Sequence, residues 1–260
     1  MLIWRIIKYL QYLINGKTRH GVHSPFVYHF IESILNSNKI NNNCKKVGLL
    51  RKNLEKSNEY IDAIDYGAGS KLGLLKKRKI SDMVRSSSKN KKFGELLYRL
   101  TSNYKPKKIV ELGTSLGISS CYLSLGNPEA KIYTFEGCSQ TAKKAKENFK
   151  LLALNKIDII VGNFDNTLAE KIGKIEKIDM AFIDGNHQEQ ATVSYFDKLL
   201  NYSHDKTIII IDDIYWSKGM SNAWNKIKKN TSVTVTIDLF FLGIVFLNKE
   251  LSKEDFVLRF

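Results

Sequence analysis

The chain has 260 residues, of which 43% are hydrophobic and 26% charged, so it is long enough for one α/β domain with an extension or for two small domains. Its three cysteines, Cys44, Cys121 and Cys138, are scattered and show no C-x-x-C spacing. This pattern argues against a disulfide-rich secreted protein or a zinc-binding module, and it indicates a reducing, cytoplasmic compartment.

The net charge of +15 is unevenly distributed. Residues 1–108 hold 23 Lys and Arg against 7 Asp and Glu, whereas residues 109–260 hold 18 against 19. A basic extension attracts polyanions, which include nucleic acid, anionic lipid headgroups and acidic or phosphorylated substrates. The alternative, a compositional bias that only solvates the surface, stays open.

The first fifteen residues, MLIWRIIKYLQYLIN, have the pattern of an amphipathic helix. The polar side chains of Arg5, Lys8, Gln11 and Asn15 fall on one narrow stripe. The segment is too short to span a bilayer and has no small-residue cleavage site, so we expect neither a transmembrane helix nor a signal peptide. Its wide apolar face has to be covered, and we expect the body of the protein to cover it. Another subunit and a membrane surface are the alternatives.

Up to about residue 106 the pattern is mainly helical. Ser24 followed by Pro25 predicts a helix start, and that helix is expected to continue to about Leu35. The remaining predicted elements of this region are a loop at 36–46, a helix at 47–60, a short strand at 61–66 and a helix at 93–103.

Two features of this region resemble functional motifs, but we do not interpret either of them as that motif. The histidines His20, His23 and His29 have no acidic partner at ligand spacing, so they are assigned to structure or to substrate contact rather than to a metal. The glycine turn at 67–70 is followed not by an amphipathic helix but by a basic run at 71–79. We expect this run to be a solvated loop, and it is the best candidate for an anion clamp.

From residue 107 onward, strands and helices alternate regularly, which predicts a parallel sheet covered by helices. A hairpin at 232–238 and 242–247 then adds an antiparallel strand. The five predicted strands lie near 107–112, 131–136, 157–162, 178–184 and 207–212, and the helices near 115–125, 139–152, 164–172, 188–201 and 217–229.

The first of these units, KKIVELGTSLGIS at 107–119, has the features of a nucleoside-binding site. A buried strand is followed by a turn with Gly113 and Gly117 and then by a helix N-terminus, where backbone N–H groups point outward. The pattern is not the dinucleotide fingerprint G-x-G-x-x-G, because Ser115 occupies the middle position and Glu111 lies in the strand end.

Polar residues also follow the second and third strands, at the edge where doubly wound sheets bind ligands. Glu136 lies 25 residues after Glu111, where a carboxylate accepts both hydroxyls of a ribose. Asn163, Phe164 and Asp165 follow the third strand, where contacts to a base are expected.

Asp184, Asp212 and Asp213 are the clearest local signal for chemistry. Neighbouring strands lie about 4.8 Å apart, so carboxylates at the ends of strands four and five converge and repel each other unless they are neutralised. Oxygen ligands select a hard divalent cation, Mg²⁺ before Mn²⁺ or Ca²⁺. In the other interpretation Asp184 alone faces the site, and Asp212 or Asp213 caps the next helix.

From about Lys92 to Leu247, the chain resembles the catechol O-methyltransferase-like branch of class I S-adenosylmethionine (SAM)-dependent methyltransferases. The resemblance implies a Rossmann-like α/β fold with a seven-stranded methyltransferase sheet and a terminal antiparallel hairpin. It also implies SAM as methyl donor and a divalent cation that binds a substrate oxygen. The segments that carry it are FGELL at 93–97, ELGTSLGIS at 111–119, Phe135-Glu136, DMAFID at 179–184 and the acidic pair at 212–213.

The resemblance also assigns roles to individual residues. The metal is assigned to Asp184, Asp212 and Asp213, and catalysis to Asp184 and His187. SAM is assigned to Glu111, Gly113, Thr114, Ser115, Gly117, Glu136, Gly137, Asn163, Phe164, Asp165 and Asp184.

Two departures from the family pattern bear on these roles. The family usually has Asn where this chain has Asp213, which adds negative charge but keeps an oxygen ligand. His187 occupies the position of the family's lysine base, and an imidazole with an ordinary pKa near 6.5 suits a general base at neutral pH. In the alternative, the enzyme is metal-free and His187 acts alone.

The sequence therefore predicts a SAM-dependent O-methyltransferase, with the SAM-binding domain at 91–260 and a basic, mainly helical extension at 1–90 that forms the substrate side or oligomer contacts. The expected partner is a small hydroxylated acceptor. An RNA methyltransferase is the nearest alternative, favoured by the charge asymmetry but lacking the Asn/Asp-Pro-Pro-aromatic motif for base amines. The other alternative is a catalytically silent SAM-binding or membrane-associated module that works through residues 1–15.

Overall fold

The computed structural model of the chain describes residues 2–37, 42–64, 75–87 and 90–260. The glycine turn predicted at 67–70 and the start of the basic run lie outside these ranges. The helices within them are α1 (Leu2–Asn15), α2 (Pro25–Phe30), α3 (Asn42–Glu55), α4 (Ile80–Ser87), α5 (Lys91–Tyr104), α6 (Ile118–Gly126), α7 (Ser139–Leu151), α8 (Phe164–Ile175), α9 (Glu189–Leu200) and α10 (Lys218–Lys229).

The strands of the described residues form a small two-stranded sheet and a large eight-stranded sheet. The small sheet contains β1 (Tyr60–Ile64) and β2 (Leu75–Lys79), which run antiparallel. The large sheet contains β3 (Lys108–Leu112), β4 (Lys131–Glu136), β5 (Ile157–Val161), β6 (Ile178–Ile183), β7 (Ser203–Asp212), β8 (Val235–Asp238), β9 (Leu242–Phe246) and β10 (Glu254–Val257).

The chain divides into two compact units, and the division does not fall at the boundary expected near residue 90. The first unit comprises Met1–Asn36 and Ile175–Phe260, and the second comprises Ser37–Lys174. In the second unit β3, β4 and β5 pair in parallel. In the first unit β6 and β7 are parallel, β9 runs antiparallel to β7 and β8, and β10 is parallel to β8.

This mostly parallel sheet with helical connections is a Rossmann-like α/β fold, as the sequence predicts. The central strand β7 contains a continuous apolar run, Ile208–Ile211, because a strand in the middle of such a sheet is buried on both faces. The hairpin of β8 and β9 supplies the expected antiparallel strand, and β10 raises the strand number from the predicted seven to eight.

The N-terminal region departs further from the predictions. The helix start at Ser24 is confirmed, because Ser24 Oγ accepts the Val27 N–H at 3.4 Å. The predicted loop at 36–46 is wrong from residue 42 onward, where α3 begins and buries Cys44 and Val47. The basic run is also not a loop throughout, since its residues 75–79 form β2.

The expected covering of the apolar face of α1 by the protein body is wrong. The aliphatic side chains of this helix are exposed, and the buried residue of α1 is Tyr12. No described helix is long and apolar enough to cross a membrane.

Candidate active site

The turn between β3 and α6 places backbone amides at the end of β3. Three of its residues have positive φ: Gly113 at 106°, Ser115 at 48° and Gly117 at 78°. The N–H groups of Gly113 and Thr114 both donate to the Phe135 carbonyl, at 3.0 and 3.1 Å, which ties the turn to the end of β4.

Glycine is required at position 117 for two independent reasons. Its φ lies in the left-handed region that residues with a Cβ rarely adopt. A Cβ there would also lie 2.4 Å from Cε1 of the Phe149 ring. The turn therefore passes close to α7, and Asn148 holds it there by donating Nδ2–H to the Leu116 carbonyl at 2.9 Å.

Glu136 ends β4 with its carboxylate held by two backbone amides. Its Oε2 accepts the Ser115 N–H at 2.7 Å and its Oε1 accepts the Cys138 N–H at 3.0 Å. A carboxylate has about four acceptor sites, so a group fixed in this way can also accept hydroxyl groups of a ligand. The carboxylate predicted to bind the ribose is thus held in place partly by the glycine turn, through the Ser115 N–H.

Glu111 lies in a different environment from the one expected for direct contact with SAM. Its side chain is 0% exposed, and Oε2 accepts hydrogen bonds from the hydroxyls of Ser120 and Thr134. Burial raises the pKa of Glu111, and the hydroxyl hydrogen bonds oppose that rise. Oε1 accepts no hydrogen bond from the described residues. Glu111 therefore connects α6 and β4 in the interior through these two hydrogen bonds, an arrangement that the motif alone did not indicate.

The loop after β5 lies beside the end of β4 within the same unit. The Gly162 N–H donates to the Glu136 carbonyl at 2.9 Å, and Asn163 Oδ1 accepts the Asp165 N–H at 2.9 Å. Asn163 and Asp165 are exposed, and Phe164 begins α8. The ends of β3, β4 and β5 thus bring together the predicted cofactor residues of the second unit: Glu111, Gly113, Thr114, Ser115, Gly117, Glu136, Gly137, Asn163, Phe164 and Asp165.

The first unit contains a separate cluster of possible metal ligands. Asp184 follows β6 and Asp212 ends β7, and these strands pair in parallel with Ile183 opposite Ile211. One ligand atom from each of Asp184, His187 and Asp212 lies within 4.8 Å of the others. Asp212 is only 1% exposed, so its charge is removed from water.

A tight turn brings His187 into this cluster. Asn186 and His187 have φ values of 67° and 41°, and the His187 N–H donates to the Gly185 carbonyl at 2.9 Å. The turn is held by Asn186, whose Nδ2–H donates to the Tyr195 hydroxyl at 3.2 Å. The His187 Nε2 consequently lies 3.6 Å from Asp184 Oδ1.

Asp213 is not part of the cluster of described residues. It has a φ of 51° and starts a turn in which its N–H donates to the Phe241 carbonyl at 2.7 Å. Its own carbonyl accepts the Trp216 N–H at 2.8 Å. The alternative in which Asp212 or Asp213 caps the next helix is wrong, because the N-cap of α10 is Ser217. A ligand role for Asp213 stays a prediction.

The donor set fits a divalent cation. Two carboxylates and an imidazole so close together repel or compete for protons unless a positive charge lies between them. Carboxylate oxygens suit Mg²⁺ and Mn²⁺, and the imidazole nitrogen shifts the preference toward Mn²⁺ and other transition metals. The sequence favoured a set of oxygen ligands only, whereas the described residues offer one nitrogen.

A parallel sheet with a glycine turn and a carboxylate at the ends of neighbouring strands defines a nucleoside-binding fold of the methyltransferase type. Residues 110–214 of the sequence match the family model described as "Methyltransferase domain". The matched residues include the glycine turn, Glu136 and the cluster of Asp184, His187 and Asp212.

Solved methyltransferase structures have the same fold. SAH-bound PaMTH1 of Podospora anserina is 15% identical with a TM-score of 0.60, and the alignment covers 88% of this chain and 100% of that chain. The O-methyltransferase from Bacillus cereus in complex with SAH is 18% identical with a TM-score of 0.58, covering 85% and 97%. TomG from Streptomyces achromogenes, an O-methyltransferase involved in tomaymycin synthesis and bound to SAM, is 17% identical with a TM-score of 0.54, covering 62% and 82%.

Proposed function

We propose that the chain transfers the methyl group of SAM to a hydroxyl of a small acceptor, with a divalent cation held by Asp184, His187 and Asp212. The observation that carries this proposal is the convergence of these three side chains at the ends of β6 and β7. O-methyltransferase names among the structural neighbours support the choice of oxygen as the methyl acceptor.

Each part of the chain has a defined task in this proposal. The glycine turn and Glu136 hold the nucleoside portion of SAM through backbone amides and a fixed carboxylate. A hydroxyl is a poor nucleophile while it keeps its proton, and a bound cation orients it and lowers its pKa. Asp184 and Asp212 supply the negative charge that attracts the cation.

The distances favour His187 as a ligand. Its Nε2 lies 3.6 Å from Asp184 Oδ1, which is too long for a hydrogen bond between a base and its orienting carboxylate. Two ligands that each lie about 2.1 Å from one ion are separated by about 3–4 Å. In the competing assignment, taken from the family position, His187 removes the proton from the acceptor.

Calorimetric titration of the full chain with Mn²⁺ and with Mg²⁺ tests the ligand set. Asp184→Asn and Asp212→Asn are each expected to weaken binding more than about 100-fold, since loss of an outer partner alone costs about 10- to 100-fold. Asp205→Asn, a change of the same kind at an exposed position beyond the cluster, is the control. His187→Ala weakens metal binding if the imidazole is a ligand, and His29→Ala, at an exposed position, does not.

Activity is measured as release of SAH with a panel of phenols and aliphatic alcohols. We expect EDTA to stop turnover and Mn²⁺ to restore it, with Asp184→Asn inactive while SAM still binds. Full activity in EDTA and in Asp184→Asn would rule out the cation. Normal metal affinity in His187→Ala, together with loss of the acid limb of the pH–rate profile, would assign His187 as the general base instead.

RNA is the second candidate acceptor, and the basic character of residues 1–108 favours it. Part of this charge lies on β2, which contains Lys77, Arg78 and Lys79. Methylation of tRNA or rRNA with an affinity that falls steeply with salt would support this candidate. Methylation of small alcohols that is insensitive to salt would exclude it.

A further inference from the structure

Helix α1 presents an aliphatic surface to solvent. Leu2, Ile3 and Ile14 are 73%, 75% and 80% exposed. A surface helix normally turns its apolar stripe toward the core, so this arrangement is the reverse of the usual one. The exposed aliphatic side chains of α1 are Leu2, Ile3, Ile6, Ile7, Leu10, Leu13 and Ile14.

The opposite face of α1 attaches the helix to the first unit. The Tyr12 hydroxyl donates to the Leu258 carbonyl at 2.7 Å and accepts the Phe260 N–H at 3.0 Å. Tyr9 packs edge-on against Phe240, with 4.9 Å between the ring centroids. The aromatic side chains of Tyr9 and Tyr12 therefore attach α1 to its unit, whereas its aliphatic side chains are exposed.

The end of the helix is also fixed to the body of its unit. The Lys17 N–H donates to the Val257 carbonyl at 2.8 Å, and the Arg259 N–H donates to the Lys17 carbonyl at 3.0 Å. Gly16 passes so close that a Cβ there would lie 2.8 Å from Arg259 Cγ. The helix is consequently held in place at its end, so the exposure of its aliphatic face does not come from a frayed terminus.

The charged side chains of α1 and of the residues that follow it to Arg19 are all basic, and Arg19 Nη1 lies 3.4 Å from Glu32 Oε1. Arg5, Lys8, Lys17 and Arg19 are the charged residues of the first 31, and the first acidic residue is Glu32. Two copies that paired through α1 would bring these like charges together, which opposes association. An anionic lipid surface complements both the charge and the apolar face.

Aromatic side chains extend the apolar surface beyond α1. The Arg5 guanidinium lies over the Trp216 ring, 4.9 Å from its centroid, and 5.8 Å from that of Phe241. Trp216 and Phe241 are 44% and 37% exposed. Tryptophan is enriched at the membrane–water interface, where its ring is half buried and its N–H stays hydrated.

We propose that α1 docks the protein on anionic bilayers, with its aliphatic face at the boundary between headgroups and acyl chains. The helix lies in the plane of the interface, and Trp216 and Phe241 contact the same surface. Lys8 and Lys17 attract acidic headgroups, whereas Arg5 lies over Trp216 and Arg19 pairs with Glu32. The proposal concerns attachment alone and does not depend on the acceptor or on the metal.

Co-sedimentation of the full-length protein with large unilamellar vesicles tests the proposal. The vesicles contain phosphatidylcholine alone or phosphatidylcholine with 30% phosphatidylglycerol. We expect binding to the anionic vesicles to be at least about tenfold tighter and to weaken with added salt. Ile3→Asp is expected to weaken it by more than about tenfold.

Leu151→Asp is the matched control, because Leu151 at the end of α7 is 75% exposed, as is Ile3. Since both positions are exposed, neither substitution disturbs the core, and unchanged circular dichroism verifies this. The control is expected to bind vesicles as the wild type does. Quenching of tryptophan fluorescence by lipids with brominated acyl chains is an independent readout, since Trp4 and Trp216 are not buried and Trp224 is.

Several results would overturn the proposal. One is equal affinity for neutral and anionic vesicles, and another is equal binding by the wild type and Ile3→Asp. A third is absence of vesicle binding together with a dimer in analytical ultracentrifugation that Ile3→Asp dissociates. That result would assign the aliphatic face to a second copy of the chain.

Discussion

Replacing Glu136 with Gln is expected to weaken SAH binding by about 10- to 100-fold. The carboxylate of Glu136 accepts N–H groups from Ser115 and Cys138, and we assign the ribose hydroxyls to the same oxygens. A hydrogen bond to a charged group contributes about 1.5–3 kcal/mol, roughly twice a neutral one. When the acceptor becomes a neutral amide, the two hydrogen bonds from the ribose together contribute about 1.5–3 kcal/mol less to the binding free energy. Each 1.4 kcal/mol corresponds to a tenfold change in affinity.

The substitution also disturbs the turn, because the new amide group directs N–H donors toward one of the two backbone N–H groups. Isothermal titration with SAH therefore needs two controls. Glu129→Gln makes the same change of charge at an exposed residue that pairs with Lys156 at 2.9 Å, and it is expected to leave the affinity unchanged. A SAH analogue without the ribose 2′-hydroxyl separates loss of the ribose contact from loosening of the turn.

The analogue is expected to bind the wild type more weakly than SAH does, with a much smaller difference in Glu136→Gln, because the two changes remove the same hydrogen bond. If the analogue loses the same affinity in both proteins, Glu136 does not contact the diol. Wild-type affinity of Glu136→Gln for SAH would refute the reasoning outright.

Two further predictions concern the stability of the same unit. Gly117→Ala is expected to lower the free energy of unfolding by about 2–4 kcal/mol, from its positive φ and its overlap with Phe149. Gly48→Ala, in α3 with no atom within 4 Å of the added Cβ, is expected to raise it by about 0.5–1 kcal/mol, and equal effects in urea denaturation would contradict this. Because burial raises the pKa of Glu111, its proton stabilises the folded state at low pH, and this contribution is lost as the pH rises above the ordinary value of 4.5. Glu111→Gln is therefore expected to reduce the fall in stability with rising pH by up to about 1.4 kcal/mol per pH unit, and parallel curves of melting temperature against pH would disprove it.

The sequence predicted the parallel part of the sheet because the signals there are local. A buried parallel strand is a continuous apolar run, as at Ile208–Ile211, and this pattern does not depend on which elements pack against the strand. The helix starts at Ser24 and Ser217 carry a side-chain acceptor for the N–H three residues later, which is also a local property.

The strands that were not predicted are those whose pairing depends on distant partners. β2 is the basic segment Leu75–Lys79, and β10 is the short, half-polar segment Glu254–Val257. Neither has the alternation of a strand with one buried face. β10 is held on β8 partly by Thr236, whose hydroxyl donates to Asp255 Oδ1 at 2.6 Å. Such a contact becomes visible only after the sheet has formed.

The same distinction applies to the candidate site. Asp184, Asp212 and Glu136 could be found from their positions at strand ends, because the topology alone places such residues at one edge. The approach of His187 to Asp184 depends on two consecutive residues with positive φ, and the sequence DGNH does not specify these angles. The interior position of Glu111 likewise depends on hydroxyls supplied by α6 and β4.

Helix α1 shows what a periodic pattern leaves undetermined. The spacing of aliphatic residues establishes that one face requires an apolar environment, but it does not say which molecule provides that environment. Here Tyr12 and Arg5 attach the helix by its other face, and Arg5 lies over Trp216. The backbone N–H of Trp216 donates to the carbonyl of Asp213, which directly follows Asp212 of the candidate metal-ligand cluster. The face of α1 opposite its aliphatic side chains therefore packs against the loop that leads from β7.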